Sequence, residues 1–420
     1  MPAPVRPAVA VVGLGYIGLP TAVVLAAHGA QVVGVDVDEG TVASVARGEV
    51  PFVEPDLGEA LAAAVAAGRL RASTAMPEAD VYVIAVPTPF RADRTADLSF
   101  VDRAADAVAP RLRGGELVVL ESTSPPGATR HLADRLLAAR PDLSTEGADA
   151  LHVAHCPERV LPGRVLHELV TNDRVVGGLT PAAGERARDL YALFCTGEIV
   201  LTDAVTAETA KLAENASRDV GIAFANELAA VCDRLGVDVW ELRAIANRHP
   251  RVDILRPGPG VGGHCIAVDP WFLVAAAPEE TRLIRTAREV NDTRPDAVVD
   301  RVLAAVAGVD APRVAALGLA FKADIDDLRE SPARCVVARL ADRLAERSPA
   351  ARVVVVEPHV DALPPELAAR PNVALAPLAD AVAGADAVAL LVDHAEFVAA
   401  DRAGLGLDGV AVVDTRGVWR

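Results

Sequence analysis

The run Pro257-Gly258-Pro259-Gly260-Val261-Gly262-Gly263-His264-Cys265-Ile266-Ala267-Val268-Asp269-Pro270 sets one cysteine behind a string of glycines and prolines, with a carboxylate four residues further on. Glycines allow positive φ and close approach of the backbone to a ligand. A cysteine after such a loop is well placed at the first turn of a helix, where the dipole favours the thiolate. The chemistry on offer is nucleophilic catalysis at Cys265. The plain alternative is a surface loop with a buried cysteine, the usual place for a lone Cys.

Two further groups of residues bear on that choice. Lys211 and Asn215 lie four apart in a stretch of helical spacing, so they share one face. A solvated face would explain them, but Asn is a poor helix residue without a task. Near the N-terminus, Gly13-Leu14-Gly15-Tyr16-Ile17-Gly18 follows an apolar strand-like run and opens a helix-like one, and a second strand, Gln31 to Val35, ends in Asp36. This is the context of the dinucleotide fingerprint: the first glycine makes the turn, the second admits a pyrophosphate, and the third lets helix and strand pack. Asp36 stands where a carboxylate binds the ribose hydroxyls of NAD and repels the extra phosphate of NADP. Val81 to Val86 and Leu117 to Leu120 are strands that end in the hydroxyl-bearing turns of Thr88 and Thr123. Ligands bind outside the carboxyl ends of such strands, so both threonines are candidates for the nicotinamide half of the cleft. Helix capping is their alternative.

The elements that must position these groups follow from composition and pattern. A chain of 420 residues implies two or three domains. The apolar share of 52%, carried by Ala, Val and Leu with few aromatics, suits helices on a parallel sheet. Ala204 to Leu235 reads as one long helix, and a further helical run spans Thr281 to Asn291. From Pro312 a second α/β unit begins, with a strand-then-turn run at 313–322, strands at 353–356, 387–392 and 410–413, and a helix capped by Ser331 before Pro332. The expected fold is α/β: an N-terminal Rossmann NAD-binding domain (1–200), a central helical dimerisation and catalytic region (201–300), and a C-terminal Rossmann-like domain (301–420). The net charge of −17 argues against nucleic acid or an anionic membrane as partner. Five scattered cysteines, with no CxxC pair, argue against a disulfide framework and a zinc site. No apolar run reaches membrane-spanning length and no charged-then-apolar leader precedes Val9, so a cytoplasmic, reducing location is expected.

In order along the chain, the fingerprint, Val86-Pro87-Thr88-Pro89, Glu121-Ser122-Thr123-Ser124-Pro125, Cys156-Pro157-Glu158-Arg159-Val160-Leu161-Pro162-Gly163, Lys211 with Asn215, the Cys265 loop and Phe321-Lys322 through Asp327-Leu328-Arg329-Glu330-Ser331-Pro332 resemble the family of UDP-sugar 6-dehydrogenases. The resemblance spans nearly the whole chain. It implies oxidation of the sugar C6 alcohol to a carboxylate with two NAD, through a thiohemiacetal and a thioester on Cys265. Lys211 and Asn215 then stabilise the oxyanion, and Asp269 and Glu158 handle water and protons. It further implies a UDP-sugar bound by Arg159, Arg251, Gly262, Lys322 and Arg416, an Arg329 near the NAD pyrophosphate, no metal, and a homodimer or higher homo-oligomer with the long helix at its core. For each of these arginines a surface ion pair is the alternative, above all for Arg329 beside Asp326 and Asp327. His264, Ile266 and Val268 resemble the branch acting on UDP-N-acetyl-D-mannosamine, where the UDP-glucose branch has Ser, Phe and Lys. UDP-N-acetyl-D-glucosamine is the alternative substrate, with UDP-galactosamine derivatives also open and UDP-glucose ranked after them. A 3-hydroxyacid dehydrogenase would share the Lys/Asn pair but gives no reason for the cysteine loop, and a mere NAD sensor gives none for Cys265, Lys211, Asn215 and Asp269 together.

Overall fold

The computed structural model describes residues 7–419 except Val53, Leu161, Pro162 and His264. His264, the Leu161-Pro162 pair and the terminal Arg420 therefore lie outside the described residues. The chain divides into two compact units, one of Met1–Glu214 with Trp271–Ala277, the other of Asn215–Pro270 with Pro278–Arg420.

The first unit is built on an eight-stranded sheet ordered β3-β2-β1-β4-β5-β6-β7-β8. Its strands are β1 (Ala8–Val12), β2 (Gln31–Val35), β3 (Leu70–Ser73), β4 (Val81–Ile84), β5 (Leu117–Leu120), β6 (His152–His155), β7 (Arg174–Gly178) and β8 (Ile199–Asp203). β4 and β5 are apolar and buried at every position, as a sheet covered on both faces requires. Along β1, Val9 and Val11 enter one core and Ala10 and Val12 the other. The expected parallel sheet carries one reversal: β7 runs antiparallel to β6, with His155 opposite Gly177. Three strands escape the hydrophobic pattern for physical reasons. β3 is a short edge strand of mixed polarity, β7 begins with an arginine and ends in two glycines, and β8 is an edge strand exposing Val200 and Leu201.

The second unit holds a five-stranded parallel sheet ordered β11-β10-β9-β12-β13, from β9 (Arg313–Leu317), β10 (Arg352–Val356), β11 (Val373–Leu375), β12 (Ala387–Leu390) and β13 (Ala411–Asp414). Val298, Val299 and Val302 of the helix Arg282–Ala305 pack with Val336 and Leu340 of the helix Pro332–Arg347 over Val314 and Val353. Ser331 caps the latter helix through the Ala333 amide, with Pro332 at its first position. On the other face, Phe397, Leu407 and Trp419 cover Leu317 and Val356.

Both sheets begin with the same turn. Gly13, at φ +96°, donates its amide to Val35 O at 2.8 Å, and the Leu14 amide donates to Asp36 Oδ2 at 2.8 Å. Gly318, at φ +97°, donates to Val356 O at 2.8 Å, and the Leu319 amide donates to Glu357 Oε2 at 2.7 Å. A Cβ at either glycine would collide, with Ala85 O at 2.6 Å in one case and with Val392 Cβ at 2.4 Å in the other.

The long helix runs from Ala204 to Leu235 without interruption. Within the second unit it is tied to the helix Arg282–Ala305 by a buried polar chain. Arg288 Nη1 donates to Asp219 Oδ1 at 2.6 Å, Asn291 donates to the same oxygen at 2.8 Å, and Asn226 donates to Asn291 Oδ1 at 2.9 Å. Asn226 Oδ1 in turn accepts the Gly258 amide at 2.8 Å, and Arg294 Nε donates to Gly258 O at 3.1 Å. The start of the glycine–proline loop is thereby fixed to two helices. Burial pushes the Asp219 carboxyl up, against the pull of Arg288, and pushes the Arg294 guanidinium down.

Candidate active site

In the first unit, the fingerprint residues make a cradle at the carboxyl edge of β1. A Cβ on Gly18 would sit 1.9 Å from Gly13 O, so the third glycine is required by helix–turn packing. A Cβ on Gly15 would meet nothing within 4 Å, so the second glycine leaves open space above the turn. Ile17 is the N-cap of the helix Gly18–Ala27, which has no acidic residue in its first turn. Its positive end suits a phosphate. Tyr16 stacks on Phe52 with centroids 4.2 Å apart. Asp36 also accepts the Asp38 amide at 3.0 Å, so its carboxylate is anchored at the tip of β2. These residues fit a dinucleotide with unphosphorylated ribose.

The loops after β4 and β5 are stitched together. Thr88 Oγ1 donates to Thr123 O at 2.5 Å, and Ser122 Oγ to Val86 O at 2.6 Å. Neither threonine caps a helix, because those caps are Leu98 and Gly127. Glu158 follows β6 and is buried; it accepts from Arg174 Nη2 at 3.1 Å and from the Arg159 amide at 2.6 Å. The Arg159 side chain reaches Glu214 at 2.7 Å and the Asp173 carbonyl at 3.1 Å. Lys211 is half-buried beside the fully buried Leu212 and has no ion-pair partner among the described residues.

In the second unit, Cys265 opens a helical turn. Its carbonyl accepts the Asp269 amide at 2.8 Å and the Val268 amide at 3.1 Å, and the helix Asp269–Ala276 follows. Cys265 is exposed and Asp269 is buried. Asn215, from the long helix, donates through Nδ2 to Asp269 Oδ2 at 2.5 Å. The glycines ahead of the cysteine lie on the 321–332 loop. A Cβ on Gly262 would stand 2.6 Å from Glu330 O and 2.8 Å from Phe321 Cβ; Gly263, at φ +76°, faces the Phe321 ring and donates its amide to Arg329 O at 3.3 Å. Arg416 Nη1 lies 3.0 Å from where a Gly258 Cβ would be, held by Asp393 at 2.9 Å.

Within this unit the fold gathers Asn215, Asp269, Cys265, Gly262 and the loop carrying Lys322 and Arg329, with Arg416 against the start of the same glycine run. Lys322 and Arg251 are exposed. Arg329 forms a two-pronged ion pair with Asp327, at 2.9 and 2.6 Å. The supporting polar chain of Asp219, Asn226, Arg288, Asn291 and Arg294 was not foreseen from sequence; its signal was Asp and Asn at inward spacing in a long helix. Nor was the cluster of Asp324, His359 and His394, whose ligand atoms lie within 4.8 Å of one another. Both ring nitrogens of buried His394 are engaged there, Nδ1 by the Asp324 amide at 2.9 Å and Nε2 by Glu357 at 3.1 Å. Burial raises the Glu357 carboxyl, but the hydrogen bonds from His394 and from the Leu319 and Ala320 amides outweigh it and leave it lowered. The cluster is a strut beneath the Gly318 turn.

Three family models match the chain: the NAD-binding domain of the UDP-glucose/GDP-mannose dehydrogenase family over residues 7–195, its central domain over 205–293 and its UDP-binding domain over 315–420. A protein of Ralstonia nicotianae named NDP-N-acetyl-D-galactosaminuronic acid dehydrogenase is 55% identical over 98% of this chain and 96% of its own length. The UDP-N-acetyl-D-mannosamine dehydrogenase of Escherichia coli K12 is 51% identical over 98% and 99%. The solved structure of the Pyrococcus horikoshii UDP-D-ManNAc dehydrogenase superposes with a TM-score of 0.86 at 36% identity, over 98% of this chain and 96% of that one.

Proposed function

Since the chain belongs to the UDP-glucose/GDP-mannose dehydrogenase family, we propose that it oxidises the C6 alcohol of a UDP-N-acetylhexosamine, UDP-N-acetyl-D-mannosamine in the first place, to the carboxylate with NAD. Residues 1–200 hold the dinucleotide, 201–300 carry the chemistry and the dimer contact, and 301–420 hold the UDP moiety. When bound, NAD supplies the hydride acceptor for both oxidations.

The first oxidation leaves an aldehyde at C6. The Cys265 thiolate adds to it, forming a C–S bond and a thiohemiacetal whose remaining C6–H departs as the second hydride. Water then cleaves the resulting thioester, giving the carboxylate and returning the thiol. Lys211 and Asn215 stabilise the oxyanion of the tetrahedral stages, and Asp269 and Glu158 handle water and protons. Thr88 and Thr123 line the nicotinamide side, and Gly13, Gly15, Tyr16, Ile17, Gly18, Asp36 and Arg329 the rest of the dinucleotide. Arg159, Arg251, Gly262, Lys322 and Arg416 take the UDP-sugar, the cations by charge and, for arginine, by paired donors.

The observation that carries this reading is the turn Cys265–Asp269 with Asn215 bonded to Asp269: proposed nucleophile, carboxylate and amide donor on one corner. A second reading of the sugar, the galacto epimer, rests on the 55% identity to the Ralstonia nicotianae protein. A panel of UDP-sugars assayed for NAD reduction tests both. Two NADH per UDP-N-acetyl-D-mannosamine consumed is the expected result; one per sugar would overturn the thioester path, and turnover of the galacto epimer alone would favour the second reading.

The long helix also offers a homodimer face. Phe224, Val231 and Leu235 are exposed, and their spacing puts them on one stripe. No described helix is long and apolar enough to cross a membrane, and a cytoplasmic location is proposed on the scattered thiols.

A further inference from the structure

Behind the carboxyl ends of β5 and β6 lies a set of buried ionisable groups of which the steps above use Glu158 alone. Because β7 runs antiparallel to β6, with His155 opposite Gly177, its first residue, Arg174, lies beside the segment that follows β6. Arg174 is 4% exposed and Glu158 8%. Arg174 Nη2 donates to Glu158 Oε2 at 3.1 Å and to Leu169 O at 3.3 Å, and Nη1 reaches Cys156 Sγ at 3.7 Å. The guanidinium lies 4.7 Å over the Tyr191 ring and 5.2 Å from that of Phe194. Glu121, the residue after β5, is fully buried and, among the described residues, its carboxylate accepts from two hydroxyls, Thr21 Oγ1 at 3.1 Å and Tyr191 OH at 3.2 Å.

One cluster thus holds two buried carboxylates and one cation, which bonds Glu158 directly and lies over the Tyr191 ring whose hydroxyl reaches Glu121. Cys156 does not add a charge, because burial pushes its thiol up to about 12. The Tyr191 hydroxyl is likewise raised, chiefly by burial. The groups that face Glu121 are therefore Thr21 from the fingerprint helix, Tyr191 from the helix Pro181–Tyr191, Cys156 and Glu158 after β6, and Arg174 from β7. A full second negative charge in this site is uncompensated and costly. Arg174 bonds Glu158 directly, so Glu121 is the carboxyl that keeps the proton. Burial first and the charge of Glu158 second push Glu121 up to about 7, partly offset by Arg174.

We propose that Arg174 and Glu121 are positioning residues for Glu158: Arg174 fixes its carboxylate, and ionisation of Glu121 behind Arg174 raises the basicity of Glu158. This rests on the reading of Glu158 as a group that handles water. Below neutrality Glu121 is neutral and Arg174 neutralises Glu158 alone. Above it, the second negative charge draws on the same guanidinium, and Glu158 becomes the stronger base.

The test combines infrared titration of buried carboxyl bands with pH profiles of kcat for the full-length enzyme and its Glu121→Gln, Arg174→Lys and Glu158→Gln variants. The wild type is expected to show a protonated-carboxyl band that disappears near neutral pH, together with a kcat inflection in the same range. Glu121→Gln should lose both, with KM for NAD and for the UDP-sugar within about twofold of wild type. Arg174→Lys, which keeps the charge but not the paired donors, should lower kcat at least tenfold while the band persists. A band or a kcat inflection unmoved in Glu121→Gln, or wild-type kcat in Arg174→Lys, overturns the proposal. Wild-type kcat in Glu158→Gln, with the Glu121 band still titrating, overturns instead the reading of Glu158 on which it rests. If Arg174→Lys does not fold, the infrared and kinetic results for Glu121→Gln still decide the matter.

Discussion

The Asn215 side-chain amide donates one hydrogen to Asp269 Oδ2 at 2.5 Å. An amide carries two such hydrogens; in the mechanism proposed above the first fixes the carboxylate and the second serves the developing oxyanion. Asn215→Ala is expected to lower kcat by about 10²–10³, the usual loss for one oxyanion donor, with KM for the sugar little changed. Asn215→Asp, which sets two carboxylates against each other, should be worse still at neutral pH. Steady-state kinetics of both variants check this.

Cys265 is exposed and Asp269, four residues on, is buried. Cys265→Ala is expected to abolish carboxylate formation while leaving NAD affinity, measured by calorimetry, unchanged. Mass spectrometry of the wild type quenched during turnover should find a sugar adduct on the peptide containing Cys265 and on no other.

Gly15 and Gly18 predict opposite kinds of damage. A Cβ on Gly15 meets no protein atom within 4 Å, whereas one on Gly18 falls 1.9 Å from Gly13 O. Gly15→Ala should therefore melt within a degree or two of wild type yet bind NAD at least tenfold more weakly. Gly18→Ala should lower the melting temperature itself. Thermal melts with and without NAD separate the two.

Asp219 and Arg288 are a buried ion pair at 2.6 Å. Removing one partner of such a pair costs about 3–5 kcal/mol, because the other is left charged and buried. Arg288→Met should show that loss in chemical denaturation. Asp219→Asn with Arg288→Met together should recover part of it, since neither charge is then stranded.

Glu121 holds its proton in the folded state up to about pH 7, above the ordinary carboxyl range. Between those two values the folded chain binds more protons than the unfolded one, so stability falls as pH rises and the deficit is complete above pH 7. Glu121→Gln removes it. The variant should match wild type near pH 4 and exceed it at pH 8, by about 3 kcal/mol if the whole displacement is expressed. Denaturant midpoints at the two pH values give the answer.

Much of this was legible in the residues, for identifiable reasons. The span of the long helix could be read because 204–235 has no proline and repeats its apolar residues at helical spacing. The fingerprint could be read because each glycine has a separate steric task. β7 could not, since Arg174, Gly177 and Gly178 hide it from any hydrophobic pattern, and with it went the partner of Glu158. The pairing of Asn215 with Asp269, and the close approach of Arg416 to Gly258, join residues distant in sequence through tertiary packing. Only the folded chain brings them together.

The turn that opens each sheet bears on redesign. In both copies the acidic residue ending the second strand accepts the amide that follows the glycine, Asp36 from Leu14 and Glu357 from Leu319. In the second copy the acid holds that turn although no GxGxxG accompanies it. Asp36 is then a tie for its own loop as well as the selector of cofactor proposed above. Engineering a preference for phosphorylated dinucleotides by replacing Asp36 with a small or basic residue would cut that tie. A successful switch would have to supply another acceptor for the Leu14 amide.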